Sequence, residues 1–265
     1  MSGSKRDRGI GMTIGWVLAL VAMFAFASLG RWQLDRMHEK QAKLDAAAQA
    51  LKPQPSQPLL LASDPRRATA YDWAAGSGAL ANATLWLDNQ IQDGKPGVRM
   101  YCVLLPDDGV QALLLDAGWW PLDGKRELPV FGCPVGSTQQ VRGLLAPPPS
   151  SGLAHGDALA PAGPRRWLAT RMDLAAIAGG LQFSAGIAPR VLRLDPARHK
   201  GDTGVMLVPG VRDLLILPNT LTPARHLGYA VQWFALAFTV LVVAVVLTLK
   251  AGNIRSRDLQ SGNAR

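Results

Sequence analysis

The chain has 265 residues, 48% of them hydrophobic and 18% charged, with a formal net charge of +9. That composition leans toward a membrane-attached protein of one or two domains. The basic residues are scattered, densest in "RRATAYDW" and "PRRWLATR", without the aromatic interleaving of a nucleic-acid platform, so no nucleic acid is expected and lipid head groups account for the charge.

Two uncharged runs stand near the ends, Ile10 to Leu29 and Leu227 to Leu249. At about 1.5 Å per residue they reach about 30 and 35 Å as helices, enough for the hydrocarbon core of a bilayer, and both are expected to span it. The first has a second reading: "KRDR", an apolar stretch and Ala25-Phe26-Ala27 also form the layout of a cleavable signal peptide. The run exceeds the usual signal core of ~7–15 residues, and the helix-favouring "WQLDRMHEKQAKLDAAAQALK" follows directly, which favours one helix rising out of the membrane.

Lys5, Arg6, Arg8, Lys250, Arg255, Arg257 and Arg265 place both tails in the cytoplasm by the positive-inside rule. Arg31, Arg36, Lys40, Lys43, Arg212 and Arg225 lie near the membrane on the other side, but a loop of nearly two hundred residues translocates largely regardless of charge. The expected organisation is a cytoplasmic tail (1–9), transmembrane helix 1 (10–29), a helical extension (30–52), a linker (53–70), a periplasmic β-rich domain (71–226), transmembrane helix 2 (227–249) and a second cytoplasmic tail (250–265).

The linker is read from the four prolines of "LKPQPSQPLLLASDPRR". Beyond it, "ATLWLDNQ" sets Leu85 and Leu87 against Thr84, Trp86 and Asp88, the alternation of a half-buried strand. "VRMYCVLL", the turn "PDDG" and "VQALLLDA" predict a hairpin, and "QQVRGLLA", "PRVLRLD" and "DTGVMLV" are further strand candidates. "RMDLAAIAGG" predicts one short helix ending at Gly179, and residues 146–164, rich in Pro, Gly, Ala and Ser, predict a surface loop. The fold class expected is an α+β membrane protein, two transmembrane helices flanking a small, mainly antiparallel β domain. Trp119 and Trp120 are adjacent, so on a strand one ring faces inward and the other outward. Cys102 and Cys133 lack metal or redox spacing; "YCVLL" reads as a strand whose cysteine packs inward, and pairing of the two in an oxidising compartment stays open.

No hydrolase or metalloprotease motif and no P-loop is present, and an enzyme is not expected. His38, His155 and His199 sit in polar or Pro/Gly-rich surroundings and read as solvated. His226 differs because it opens an apolar helix, where an imidazole must reach water or find a partner. At ~100° per residue His226, Tyr229, Ala230, Trp233 and Ala237 share one face, while Gln232 points elsewhere. Two readings follow. The face is either a ligand site, with a histidine above a tyrosine and a tryptophan, or an aromatic belt at the membrane interface that includes Trp32.

Four stretches, "LGRWQLDRMHEK", "LDNQIQDGKPGVRMYCVLLP", "LLLDAGWWP" and "HLGYAVQWFALA", together resemble the Surfeit-locus-1 family of cytochrome c oxidase assembly proteins, in order and over almost the whole chain. The residues that match are Gly30, Trp32, Gln33 and Arg36; Asp88, Asn89, Gly94 and Gly97; Gly118, Trp119 and Pro121; and His226, Tyr229, Ala230, Trp233 and Phe234. The resemblance implies a two-anchor membrane factor that assists the heme-containing subunit of the oxidase, with heme a as cofactor or cargo and His226 as the iron ligand. Tyr229 and Trp233 would then lie against the porphyrin, with Trp32 and Gln33 as the facing wall. A structural chaperone or scaffold without heme is the alternative, and copper delivery lacks the thiolate pair that holds Cu(I). The sequence departs from the family at "DNQ" and at Asp116-Ala117-Gly118-Trp119, where arginines are usual; Arg99 and Arg126 stand nearby. Nine residues before the first span leave no room for a mitochondrial transit peptide, so a bacterial inner membrane is expected, with the lipid bilayer itself a partner.

Overall fold

The computed structural model describes residues 3–124, 126–134, 136, 138–150, 156–197, 210–217 and 220–262. His155, His199 and the strand expected over 202–208 lie outside the described residues. The chain divides into two compact units, Met1–Ala42 with Thr220–Arg265, and Lys43–Asn219.

The first unit is a helix pair. Helix α1 (Gly3–Ala50) contains no proline and ends just before Pro53, while α3 (Pro223–Gly262) starts where Thr222 Oγ1 accepts from Arg225 N at 3.4 Å and Pro223 occupies the first position. Their apolar stretches are long enough to cross a bilayer. Two rows of side chains lose exposure: Met23, Phe26, Gly30, Gln33 and Met37 on α1, and His226, Ala230, Trp233, Ala237 and Val240 on α3. Their spacing alternates between three and four residues, the 3.5-residue period at which two helices stay in contact along a seam. The pairing is antiparallel. Phe26 stacks on Trp233 with ring centroids 5.7 Å apart, Trp16 Nε1 donates to Thr248 Oγ1 at 3.0 Å, and Lys40 Nζ donates to Leu221 O at 2.6 Å. Leu18, Phe24, Phe238 and Leu247 point outward and exposed, the inverse of a water-soluble helix pair.

The second unit is built on a seven-stranded sheet: β1 (Asp72–Gln92), β2 (Lys95–Pro106), β3 (Ala112–Pro121), β4 (Thr138–Ala146), β5 (Leu159–Pro161), β6 (Arg166–Ala169) and β7 (Ile187–Leu194), with a short helix α2 (Leu174–Gly180) before β7. Strands β1, β2 and β3 form consecutive hairpins. Asp93 (φ 50°) and Gly94 (φ 75°) make the first turn, both left-handed as a two-residue type I′ turn requires; in the second, Gly109 N donates to Pro106 O at 3.3 Å. β4 pairs antiparallel with the first half of β1, and β7 lies between β3 and β4. The order β1-β2-β3-β7-β4-β1 therefore closes into a five-stranded barrel, which removes the free edges of those strands.

Five of the seven strand pairings are antiparallel, in keeping with a mainly antiparallel domain, but two are parallel and the sheet is mixed. β7 runs parallel to β3, and β6 runs parallel to β1 over residues 84–87. A parallel neighbour arrives through a long crossover, so its pairing leaves no mark in the alternation of either strand. The segment 146–164 is likewise not all loop, because Leu159–Pro161 forms β5 against β6. Helix α2 begins at the Asp173 cap, whose carboxylate accepts from Ala176 N at 3.1 Å, and ends one residue beyond the expected Gly179.

All five ring strands contribute to the barrel interior, with Trp86, Met100, Leu115, Val141 and Leu192 among the buried side chains. Leu85, Tyr101, Leu114 and Val191 face the other way and are covered by α2 through Ile177. β1 is thus buried on both faces in its middle, not half-buried, and Trp86 is interior. Trp119 is 6% exposed and donates from Nε1 to Gln90 O at 2.8 Å, while half-buried Trp120 packs on Phe131. Gly118 (φ 122°) leaves room for Gly210, whose backbone would stand 2.9 Å from an added Cβ.

Cys102, on the inner face of β2, is bonded to Cys133, with Cα atoms 5.7 Å apart, so the inward-packing and pairing readings both hold. The proline-rich segment 53–70 packs on the barrel: it forms 3-10 turns at Leu59–Ser63 and Pro65–Arg67 and buries Leu59 and Ala62. Fully buried Arg190 of β7 fastens it, donating to Leu61 O and to the Asp72 carboxylate.

Candidate functional site

Among the described residues, the seam of the helix pair carries side-chain polar contacts, the half-buried Trp16–Thr248 bond near one end and a buried pair near the other. There Gln33 and His226, 9% and 5% exposed, face each other, with His226 Nδ1 2.6 Å from Gln33 Oε1; an amide oxygen only accepts, so this contact is a hydrogen bond when the imidazole proton is on Nδ1. Positions that periodicity gives to core side chains therefore hold an amide and an imidazole. Such a pair survives burial because each satisfies the other. The satisfaction is incomplete: His226 Nε2 is buried and has no hydrogen-bond partner.

The chemical consequence follows from the tautomer. A neutral imidazole carries one proton, and with that proton on Nδ1 and directed at the amide oxygen, Nε2 presents a lone pair. A buried, neutral nitrogen lone pair with its ring oriented by a second residue is the donor arrangement of metal-bound histidines. The chain brings it about by small residues: Ala230 is buried beside the histidine, and an added Cβ at Gly30 would stand 2.8 Å from the Phe234 ring, so glycine admits that ring one turn from Gln33.

Of the residues expected at the site, Gln33 and His226 are in direct contact, and Trp233 lies in the same seam against Phe26. Tyr229 and Trp32 are not drawn in; they are 41% and 49% exposed on the outer surface of the pair. Tyr229 lies on the flank of the stripe that His226, Ala230 and Trp233 define, which the 100° geometry permits but does not force inward. Trp32 instead takes the Arg36 guanidinium over its ring at 5.9 Å, and Arg36 pairs with Glu39 at 2.6 Å. Arg225 is exposed.

The two arginines considered as stand-ins are committed elsewhere. Arg99 is buried inside the barrel unit, donating to Asp116 at 2.9 Å and Asp213 at 2.7 Å, and Arg193 pairs with Asp213 at 2.8 Å. Asp116 is thus a member of an internal ion network, and Ala117, at the position where the resemblance places an arginine, is buried in the barrel core. Burial alone would raise the Asp213 carboxyl, but the Arg99 and Arg193 charges hold it below the usual carboxylate range. Burial also pushes the Tyr101 hydroxyl well up beside this cluster. Arg126 is on the surface, paired with Asp88 at 2.8 Å.

The role of Gln33 as the histidine's partner is the feature that the sequence reading missed. Its signal is the spacing Phe26, Gly30, Gln33 set against His226, Ala230, Trp233. A hollow of about 570 Å³ lies at the opposite end of the pair, lined by Gly15, Trp16, Ala19, Val240 and Ala244 among others, and does not include His226.

A family model described as the SURF1 family matches residues 20–238. No curated protein matches the chain.

Proposed function

The chain belongs to the SURF1 family, which serves cytochrome c oxidase assembly, and we propose that this member handles heme a for the oxidase's catalytic subunit, with His226 Nε2 as the nitrogen that takes the iron. The family is one of assembly factors and is not known for catalysis. The observation that carries the proposal is the bare, buried Nε2 of a histidine whose other nitrogen is already bonded to Gln33. Heme iron accepts a neutral imidazole as an axial ligand. The residues fit that chemistry, with Trp233 and Phe26 as the adjoining aromatic surface. Because Nε2 is enclosed by its neighbours, side chains around it must swing aside before iron arrives, which favours a ligand held in passing over a permanent one.

Two further features support a setting in a bacterial inner membrane with the barrel in the periplasm. The outward apolar faces of α1 and α3 suit lipid, and a disulfide inside the barrel suits an oxidising compartment. The basic tails then lie on the cytoplasmic side. An alkaline phosphatase fusion after residue 160 should be active and one after residue 265 inactive; the reverse pattern would invert this topology.

A second reading rests on the seam itself. A polar pair at core positions of two packed helices fixes their register, and a scaffold for an oxidase subunit needs nothing more. The full chain, purified from cells making heme a, separates the two. The parent should show a Soret band in proportion to protein, and His226→Ala should lose it while inserting at normal levels, with mature oxidase falling in the host. A His226→Ala protein that keeps both heme and oxidase support would leave the register reading.

A further inference from the structure

Resting on that heme reading, we propose that Gln33 is the positioning residue of the site: its amide oxygen takes the Nδ1 proton of His226 and so selects the tautomer that leaves Nε2 free for iron. The choice is not automatic. A free neutral imidazole in water carries its proton mainly on Nε2, which would cap the ligating nitrogen, and the tautomer in a protein is set by the hydrogen bond made at the other nitrogen. Here that bond is 2.6 Å, between residues 193 positions apart on different helices, and both partners are buried. A pair that served register alone would have no reason to leave one imidazole nitrogen bare in the interior, where an unmet polar atom is costly.

The glycine and alanine at this level belong to the same device. Gly30 admits the Phe234 ring and Ala230 is buried against α1, which keeps the two backbones close enough for an amide and an imidazole to meet directly. Gln33 touches the ligand only through the histidine, so its removal should alter the ring's proton and orientation before it alters the fold.

The test uses the full chain in detergent, labelled with nitrogen-15 at its four histidines, with the His226 signals assigned by their absence in His226→Ala. The parent should show His226 protonated on Nδ1 and bare on Nε2. Gln33→Glu, which keeps an acceptor oxygen, should preserve that state, whereas Gln33→Leu should move the proton to Nε2. Hemin, titrated as the probe, should bind Gln33→Glu about as tightly as the parent, and Gln33→Leu more weakly by on the order of 10- to 100-fold. A parent His226 protonated on Nε2 would overturn the proposal without any variant. So would a Gln33→Leu protein with parental tautomer and hemin affinity, provided that His226→Ala has lost hemin. Hemin binding undiminished in His226→Ala would instead remove the heme reading, and this role for Gln33 with it.

Discussion

The barrel and the helix pair meet the same problem, polar groups out of water, in opposite ways. In the barrel, charge is enclosed and matched: Arg99, Asp116, Asp213 and Arg193 satisfy one another, and Arg190 is anchored to Asp72 and a backbone carbonyl. Its bare interior atoms include the indole N–H groups of Trp86 and Trp120 and the Nε–H groups of Arg190 and Arg193, which are donors only, and the Gln92 amide and Tyr101 hydroxyl oxygens; none of these is an imidazole nitrogen. In the helix pair the buried Gln33–His226 contact is neutral, and what it leaves over is a ring nitrogen. Enclosed charge is therefore largely paired off in the barrel, while in the seam an imidazole nitrogen is left without a partner.

The largest test of this contrast is Arg99→Met. It strands Asp116 and Asp213 beside one remaining arginine, and should cost about 3–5 kcal/mol in the unfolding of the barrel, followed by tryptophan fluorescence in denaturant. An effect under about 1 kcal/mol would mean that the network is dispensable. Next, replacing Cys102 and Cys133 together by alanine releases a loop of 31 residues and should cost about 3–4 kcal/mol by the same measurement, leaving the helical circular dichroism of the apolar helices unchanged. Gly30→Leu acts on the other region. It forces a side chain into the Phe234 ring, and should cost about 1–3 kcal/mol in thermal loss of helical signal in detergent without moving the barrel's midpoint.

The smallest effect is one of acidity. For Asp213, burial works against ionisation but Arg99 and Arg193 win, and for Asp72 burial is likewise overcome by Arg190 and Arg67, so both carboxyls titrate below their ordinary value of 3.8. Groups depressed in the folded state contribute stability that is fully present above the unfolded value and fades as pH falls through the folded one. The barrel should accordingly hold its midpoint from neutrality down to about pH 5 and lose it progressively below about pH 4. A midpoint that already declines between pH 7 and pH 5 would point to other groups.

The same contrast governs what the sequence discloses. The two apolar helices are legible from composition because lipid-facing residues need no partner to explain them, and the β1–β2–β3 meander is legible because its alternation and its "PDDG" turn are local. The ring closure is not, since β7 meets β3 and β4 across dozens of residues and pairs parallel with one of them. Nor is the Cys102–Cys133 bond, whose separation of 31 residues carries no local pattern. Leu59 and Ala62 were hidden by the prolines around them, which mark a break in helix but do not say whether the broken segment packs. At the candidate site His226 is conspicuous alone, as a polar residue opening an apolar helix. Gln33 looks like an ordinary interfacial residue until both helices are read as one seam.

Strand β7 arrives last among the ring strands and has neighbours on both sides, β3 and β4, that were made earlier in the chain. Until residues 187–194 are present, β3 and β4 each expose an unpaired edge, and the 53–70 segment lacks Arg190, 118 positions from its partner Asp72. The nascent domain therefore waits as an open sheet with two sticky borders, slow to close because its decisive contacts are distant. A truncation near residue 180, which removes β7, should therefore leave a product with two unpaired strand edges that aggregates or is cut by added protease far more readily than the full chain.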